Sequence, residues 1–137
     1  FVFSSVSLPQ EGYAYFQLKN PRVLAETMLW MSNGGRHYSP WNGRNIGVLG
    51  LEEITSYFYF GRTQSVQPNL LLEKGYKTFH ELHAQKPFVV KLIMGVIPIP
   101  STFQGIKDIV RKDASTILIE GRAGERIEVP CHVDFLR

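Results

Sequence analysis

Apolar and polar residues alternate with a period of two over much of this chain, and short clusters of Gly, Pro, Asn and Ser break the pattern. A period of two puts successive side chains on opposite faces of a strand. Phe1 to Val6 alternates apolar with small or polar residues, and Pro9-Gln10-Glu11-Gly12 supplies a turn. Tyr13 to Leu18 is aromatic-rich and alternates again, which predicts a strand punctuated by Asn20-Pro21. Val23 to Met31 carries two signals. Ala25, Glu26 and Met28 favour a helix, whereas the Leu24, Glu26, Met28, Trp30 alternation favours a strand, the reading adopted. Asn33 to Arg44 is too rich in turn formers for regular structure and reads as a long loop, after which Ile46 to Ile54 resumes a strand.

Farther on, Ser56 to Gly61 is short and aromatic, Arg62 to Asn69 is a polar connection, and Asn69 to Lys74 stays ambiguous. Lys77 to His83 and Phe88 to Ile97 predict two strands around Gln85-Lys86-Pro87, the second stopped by Pro98 and Pro100. Ile106 to Arg111, Thr116 to Gly121 and Arg126 to Phe135 complete a meander. Short strands at close spacing, with few amphipathic helices, predict an all-β fold, an antiparallel β-sandwich, in a single domain over residues 1–137.

Composition narrows the function. The 137 residues suffice for one buried core. The net charge of +3 is spread without a basic run, which argues against nucleic-acid binding. The lone Cys131 allows no internal disulfide and no metal framework, and reads as a buried structural thiol. No apolar run approaches the ~20 residues that span a bilayer, and no secretory leader is visible, so no membrane partner and a cytoplasmic address are expected. The chain opens on Phe1 inside a strand-like pattern, where a natural terminus is usually polar and frayed, so a piece of a longer protein is expected.

Chemistry concentrates between Trp30 and Glu53, WMSNGGRHYSPWNGRNIGVLGLEE. Arg36 and Arg44 offer planar forks of donors suited to carboxylates, phosphates or vicinal hydroxyls. Trp41 and Tyr38 offer apolar faces of the kind a sugar's C–H face packs on. His37 can donate or accept a proton near neutral pH, and Asn33, Ser39 and Asn42 add neutral hydrogen bonds. A solvated surface loop would have much the same composition. Alternation sends Glu52 and Glu53 to opposite faces, so one can enter a cleft, where partial desolvation would raise its pKa and suit a general base.

The ordered run Gly34-Gly35-Arg36, Pro40-Trp41-Asn42-Gly43-Arg44 and Leu49-Gly50-Leu51-Glu52-Glu53 resembles the sugar-contacting C-terminal half of the galactose mutarotase-like proteins, which include aldose 1-epimerases and hexose-6-phosphate epimerases. The resemblance covers about a quarter of the chain, Trp30 to Phe60. It implies a supersandwich, of which this chain would be only the C-terminal part, and it implies that Glu52 is the base that takes the anomeric proton. It also implies a sugar ligand held by Asn33, Arg36, Trp41 and Arg44, with no cofactor and no metal. In those families a histidine well before this segment protonates the ring oxygen, and none precedes Trp30 here. His37 is the residue that would stand in as acid. The alternative function is a non-catalytic carbohydrate-binding β-sandwich. A half-sandwich would leave sheet edges and an apolar face open, so a missing N-terminal half or self-association is expected to cover them.

Other candidates are weaker. His80 and His83, if on a strand, face opposite ways and make no metal pair. His132 beside Cys131 reads as packed or hydrogen-bonded in the core. Tyr57 to Phe60 lacks interleaved basic residues and reads as core or as a pocket wall rather than a nucleic-acid platform. No phosphate loop and no nucleophile elbow is present.

Overall fold

The computed structural model describes residues 1–136. The fold is all-β, with antiparallel sheets throughout and only short helical turns. The chain divides into two compact units, Phe1–Val23 with Val89–Arg137, and Leu24–Phe88.

The first unit holds two three-stranded sheets. Strands β1 (Val2–Leu8), β2 (Tyr13–Lys19) and β5 (Leu92–Pro98) form one, with β2 central. Strands β6 (Ile106–Arg111), β7 (Thr116–Gly121) and β8 (Arg126–Pro130) form the other, with β7 central. Alternation along β2 turns Ala14, Phe16 and Leu18 to one face, and they join Ile97, Ile109, Ile117 and Ile119 in one buried cluster drawn from both sheets. This is the sandwich-like core. Cys131 packs half-buried against it, and burial pushes its thiol pKa up.

The strand expected from Phe88 begins only at Leu92, because its partner β2 ends at Lys19, and Asn20-Pro21 beyond it forms no ladder. It ends where expected: Pro98 is the last residue of β5, an edge strand on which a missing N–H is harmless. At the end of the chain, β8 stops at Pro130, short of the expected Phe135, and Asp134–Leu136 forms a 3-10 turn. His132 is exposed rather than packed in the core, its Nδ1 3.1 Å from the Ala114 carbonyl.

The second unit is built on a two-stranded ribbon, β3 (Glu26–Asn33) and β4 (Ile46–Ile54). The strand reading of Val23 to Met31 holds, shifted toward Asn33, because each residue of β3 finds a partner on β4. A bulge pairs Ser32 with Val48 and Asn33 with Ile46, leaving Gly47 unpaired at φ 68°, a conformation glycine adopts without strain.

The segment after the ribbon departs most from expectation. Phe58–Phe60 is a 3-10 turn, Gly61–Ser65 is helix α1 and Leu70–Glu73 is helix α2. The aromatic run is not core: Phe58, Tyr59 and Phe60 are all exposed, with Tyr57 half-buried and stacked on Phe60 at 4.5 Å. Lys77 to His83 finds no partner strand and makes only the isolated His83–Lys86 bridge. What orders this segment is a buried polar knot. The Asn69 side-chain oxygen caps α2 by accepting from the Leu71 and Leu72 amides, each at 3.1 Å. Its amide donates to the Gln64 and Gln67 carbonyls and to the Thr78 hydroxyl. Thr78 in turn donates to the Ser65 carbonyl at 2.6 Å.

Candidate functional site

The ribbon and its loop, residues 34–45, carry the site. In an antiparallel pair, residues directly opposite share a face. The register Met28–Glu52, Trp30–Gly50 and Ser32–Val48 therefore puts Trp30 and Glu52 on one face of the ribbon, with Gly50 between them. The Trp30 indole and the Glu52 carboxylate both approach Gly50 to ordinary contact distance. A β-carbon there would lie 3.4 Å from Trp30 Cε3 and 3.7 Å from Glu52 Oε1, so both side chains lean over the same point.

The loop folds back onto this face. The Ser32 hydroxyl donates to the Asn45 carbonyl, which also accepts from the Gly34 amide at 3.0 Å. The Gly43 amide donates to the Arg36 carbonyl at 2.8 Å, and the Trp41 and Asn42 amides both reach the Tyr38 carbonyl. These bonds bring Trp41 around to Arg36. The Arg36 guanidinium carbon sits 5.5 Å from the Trp30 ring centroid and 5.2 Å from that of Trp41, a cation held between two indoles. Contacts of this kind contribute ~0.5–1 kcal/mol each at exposed sites. The guanidinium also carries five N–H donors, the groups through which an arginine engages a polar ligand.

Asn33, Arg36 and Trp41 line one cavity of about 90 Å³ together with Trp30, Gly34 and Asn45. Ligand pockets for whole small molecules span roughly 300–1,000 Å³, so this cavity has room for a substituent or a ring edge but not for a whole small molecule.

The other expected site residues lie elsewhere. Arg44 is turned back on its own loop, donating from Nη2 to the Pro40 carbonyl at 2.7 Å and more loosely from Nε to the Trp41 carbonyl. Its role is to brace the turn that presents Trp41. His37 is exposed and seated against Gly43, whose β-carbon, if present, would lie 3.2 Å from His37 Nδ1. Glu52 is exposed, so the expected desolvation of this carboxylate is corrected. The half-buried member of the pair is Glu53, whose Oε2 accepts from the Thr27 hydroxyl at 2.7 Å on the opposite face of the ribbon. Strand pairing alone decides which glutamate is which.

Comparison with protein-family models, with curated proteins and with solved structures finds no match to this chain. The site is therefore read from its geometry.

Trp30 is the residue that sequence reasoning left without a role. Its only sequence signal is Gly50, and a glycine across the ribbon acquires meaning once the register is known. His80 and His83 lie on no paired strand; both line a cavity of about 380 Å³ with Lys77, Lys86 and Phe88, and the His80 and Phe88 ring centroids are 4.6 Å apart. Among the described residues, no group of three or more His, Cys, Asp and Glu side chains is placed to hold a metal ion. No helix is long and apolar enough to cross a membrane.

Proposed function

We propose that this chain binds a sugar on the Trp30–Arg36–Trp41 shelf and that Glu52, at the edge of the shelf, is the general base of an anomer-interconverting reaction of the galactose mutarotase-like kind. The observation that supports this most is the convergence of the Glu52 carboxylate and the Trp30 indole over Gly50, with Arg36 fixed on that same indole. Indole faces pack against the C–H faces of a pyranose, and the guanidinium rim donates to its hydroxyls. A donor already held in place costs little to order when the ligand arrives.

The chemistry balances without a cofactor. Glu52 takes the proton from the anomeric hydroxyl O1 as the C1–O5 bond breaks, and an acid gives a proton to O5. Rotation about C1–C2 and the reverse transfers then close the ring as the other anomer. His37 is the acid this chain offers on the same loop.

A second reading, binding without turnover, draws on the exposure of Glu52, since a solvated carboxylate keeps little of the driving force that desolvation gives a base. NMR exchange spectroscopy on neutral, phosphorylated and acidic sugars separates the two. Faster anomer exchange that is lost in Glu52→Gln, with affinity retained, supports the reaction. Line broadening without faster exchange leaves binding alone. Neither effect with any sugar class removes the site from this stretch.

A further inference from the structure

The stretch from Lys77 to Phe88 lies wholly within the Leu24–Phe88 unit and forms no helix and no ladder, yet it is held in shape along its length. Near its start, Thr78 is buried, and its hydroxyl is tied to Asn69 and to the Ser65 carbonyl. In the middle, His83 and Lys86 bridge across Ala84-Gln85, with the Lys86 amide donating to the His83 carbonyl at 3.1 Å. At the end, the Phe88 ring returns to His80, with centroids 4.6 Å apart.

A loop closed in this way keeps a cavity whose walls are already placed. Its volume of about 380 Å³ falls in the range of roughly 300–1,000 Å³ that takes a whole small molecule, which the 90 Å³ cavity beside Arg36 does not. The walls divide by chemistry. Phe79, half-buried, and Phe88 supply apolar surface. Lys77, Lys86, His80 and His83 supply nitrogen, and the lining holds one carboxylate, Glu81, against two ammonium groups and two imidazoles. Bridge partners share a face, so the His83 ring and the Lys86 ammonium both stand on the cavity side of the turn. Among the described residues, the Lys77 and Lys86 side chains make no ion pair and no hydrogen bond. Cations gathered around a concave wall of low polarity raise the local concentration of anions.

We propose that this cavity binds a small phosphate monoester whose organic part is aromatic. The phosphate carries close to two negative charges at neutral pH and three acceptor oxygens. That matches two ammonium groups with an imidazole beside one of them. A carboxylate, with one charge and two oxygens, leaves part of this donor set unused. The ring of the ligand packs on Phe79 and Phe88, the residues that give the cavity its apolar side. The site shares no residue with the Trp30–Arg36–Trp41 shelf, so it stands or falls independently of the proposed sugar reaction.

The test is a 1H–15N NMR titration of the whole chain at neutral pH with phenyl phosphate, with benzoate and benzyl alcohol as comparison probes. Phenyl phosphate should shift the amides of residues 77–88 in a saturable way and bind about tenfold more tightly than benzoate, the worth of one further charge-assisted contact. Lys77→Gln and Lys86→Gln change exposed side chains, and the Leu71 and Leu72 amides, capped by Asn69, report that the fold around the cavity is kept. Each substitution should weaken phenyl phosphate by about tenfold. Lys74→Gln removes the same charge from the C-cap of α2, outside the lining, and leaves the affinity as it is. The absence of a saturable shift at residues 77–88 overturns the inference. So does benzoate or benzyl alcohol binding as tightly as phenyl phosphate, a loss in Lys74→Gln equal to that in Lys77→Gln, or an affinity that survives the Lys77→Gln/Lys86→Gln double substitution.

Discussion

Replacing Arg36 by Gln removes the cation between Trp30 and Trp41 while keeping a side chain of similar reach. The backbone bonds of the loop stay: Gly43 to the Arg36 carbonyl at 2.8 Å, and Gly34 to the Asn45 carbonyl at 3.0 Å. What goes is the pair of ring contacts at 5.5 Å and 5.2 Å. At ~0.5–1 kcal/mol apiece, their loss costs the closed loop ~1–2 kcal/mol. That corresponds to an opened-loop population about 5–30 times larger. Amide hydrogen exchange reads this directly. The Gly34 and Gly43 amides are expected to exchange faster by that factor, while the Ile117 and Ile119 amides in β7 keep their wild-type rates and act as an internal reference. Arg36→Lys, which keeps the charge but loses the planar guanidinium, falls between. Unchanged protection at Gly34 and Gly43 would refute the reasoning, as would a uniform rise at all amides, which would mean global destabilisation rather than a loosened loop. Sugar affinity, if the shelf is the site, falls in the same variant by ~1.5–3 kcal/mol where a charge-assisted bond is lost.

Three further outcomes test the fold around the site. Gly95→Ala puts a β-carbon 2.6 Å from Cε1 of the buried Phe16 ring and should cost ~1–3 kcal/mol, lowering the urea midpoint by about 1 M; an unchanged midpoint would mean that the ring has room. Asn69→Ala removes the cap of α2 and the amide that its two N–H groups share among Gln64, Gln67 and Thr78, for roughly 2–4 kcal/mol by thermal or urea unfolding, and a loss below about 1 kcal/mol would show that the knot does not order this segment. The Ser115 backbone amide beside Asp113 holds its carboxyl below the usual 3.8, so this group stabilises the fold above that pH and the contribution fades as pH drops through the lowered value. Asp113→Asn keeps an acceptor without the charge; its melting temperature should trail the wild type near neutral pH and converge with it in acid, and a gap that does not narrow on acidification would contradict the linkage.

By itself the sequence determined the class of structure and the place of the loop. Period-two alternation needs no tertiary information, and it set β4 at Ile46 to Ile54, β2 within one residue, and the irregular stretch between β3 and β4 where Arg36 and Trp41 lie. It also drew attention to residues whose chemistry suits a sugar, because donor forks and indoles are legible as residue types. Tertiary structure decided everything that depends on a partner. Lys77 to His83 has the composition of a strand but nothing to pair with, and a strand exists only as half of a ladder. Which glutamate meets solvent followed from register, since a shift of one residue would exchange Glu52 with Glu53. Trp30 faces Gly50 and Glu52 only once the register is known, Arg44 turns its Nη2 and Nε donors to carbonyls of its own turn, and Arg36 lies near two indoles because the loop brings the second one to it. Composition gave the chain enough apolar residues for one core, and only the folded chain shows that the buried apolar cluster lies in one unit, because burial is a property of layers in contact and not of the residues that compose them.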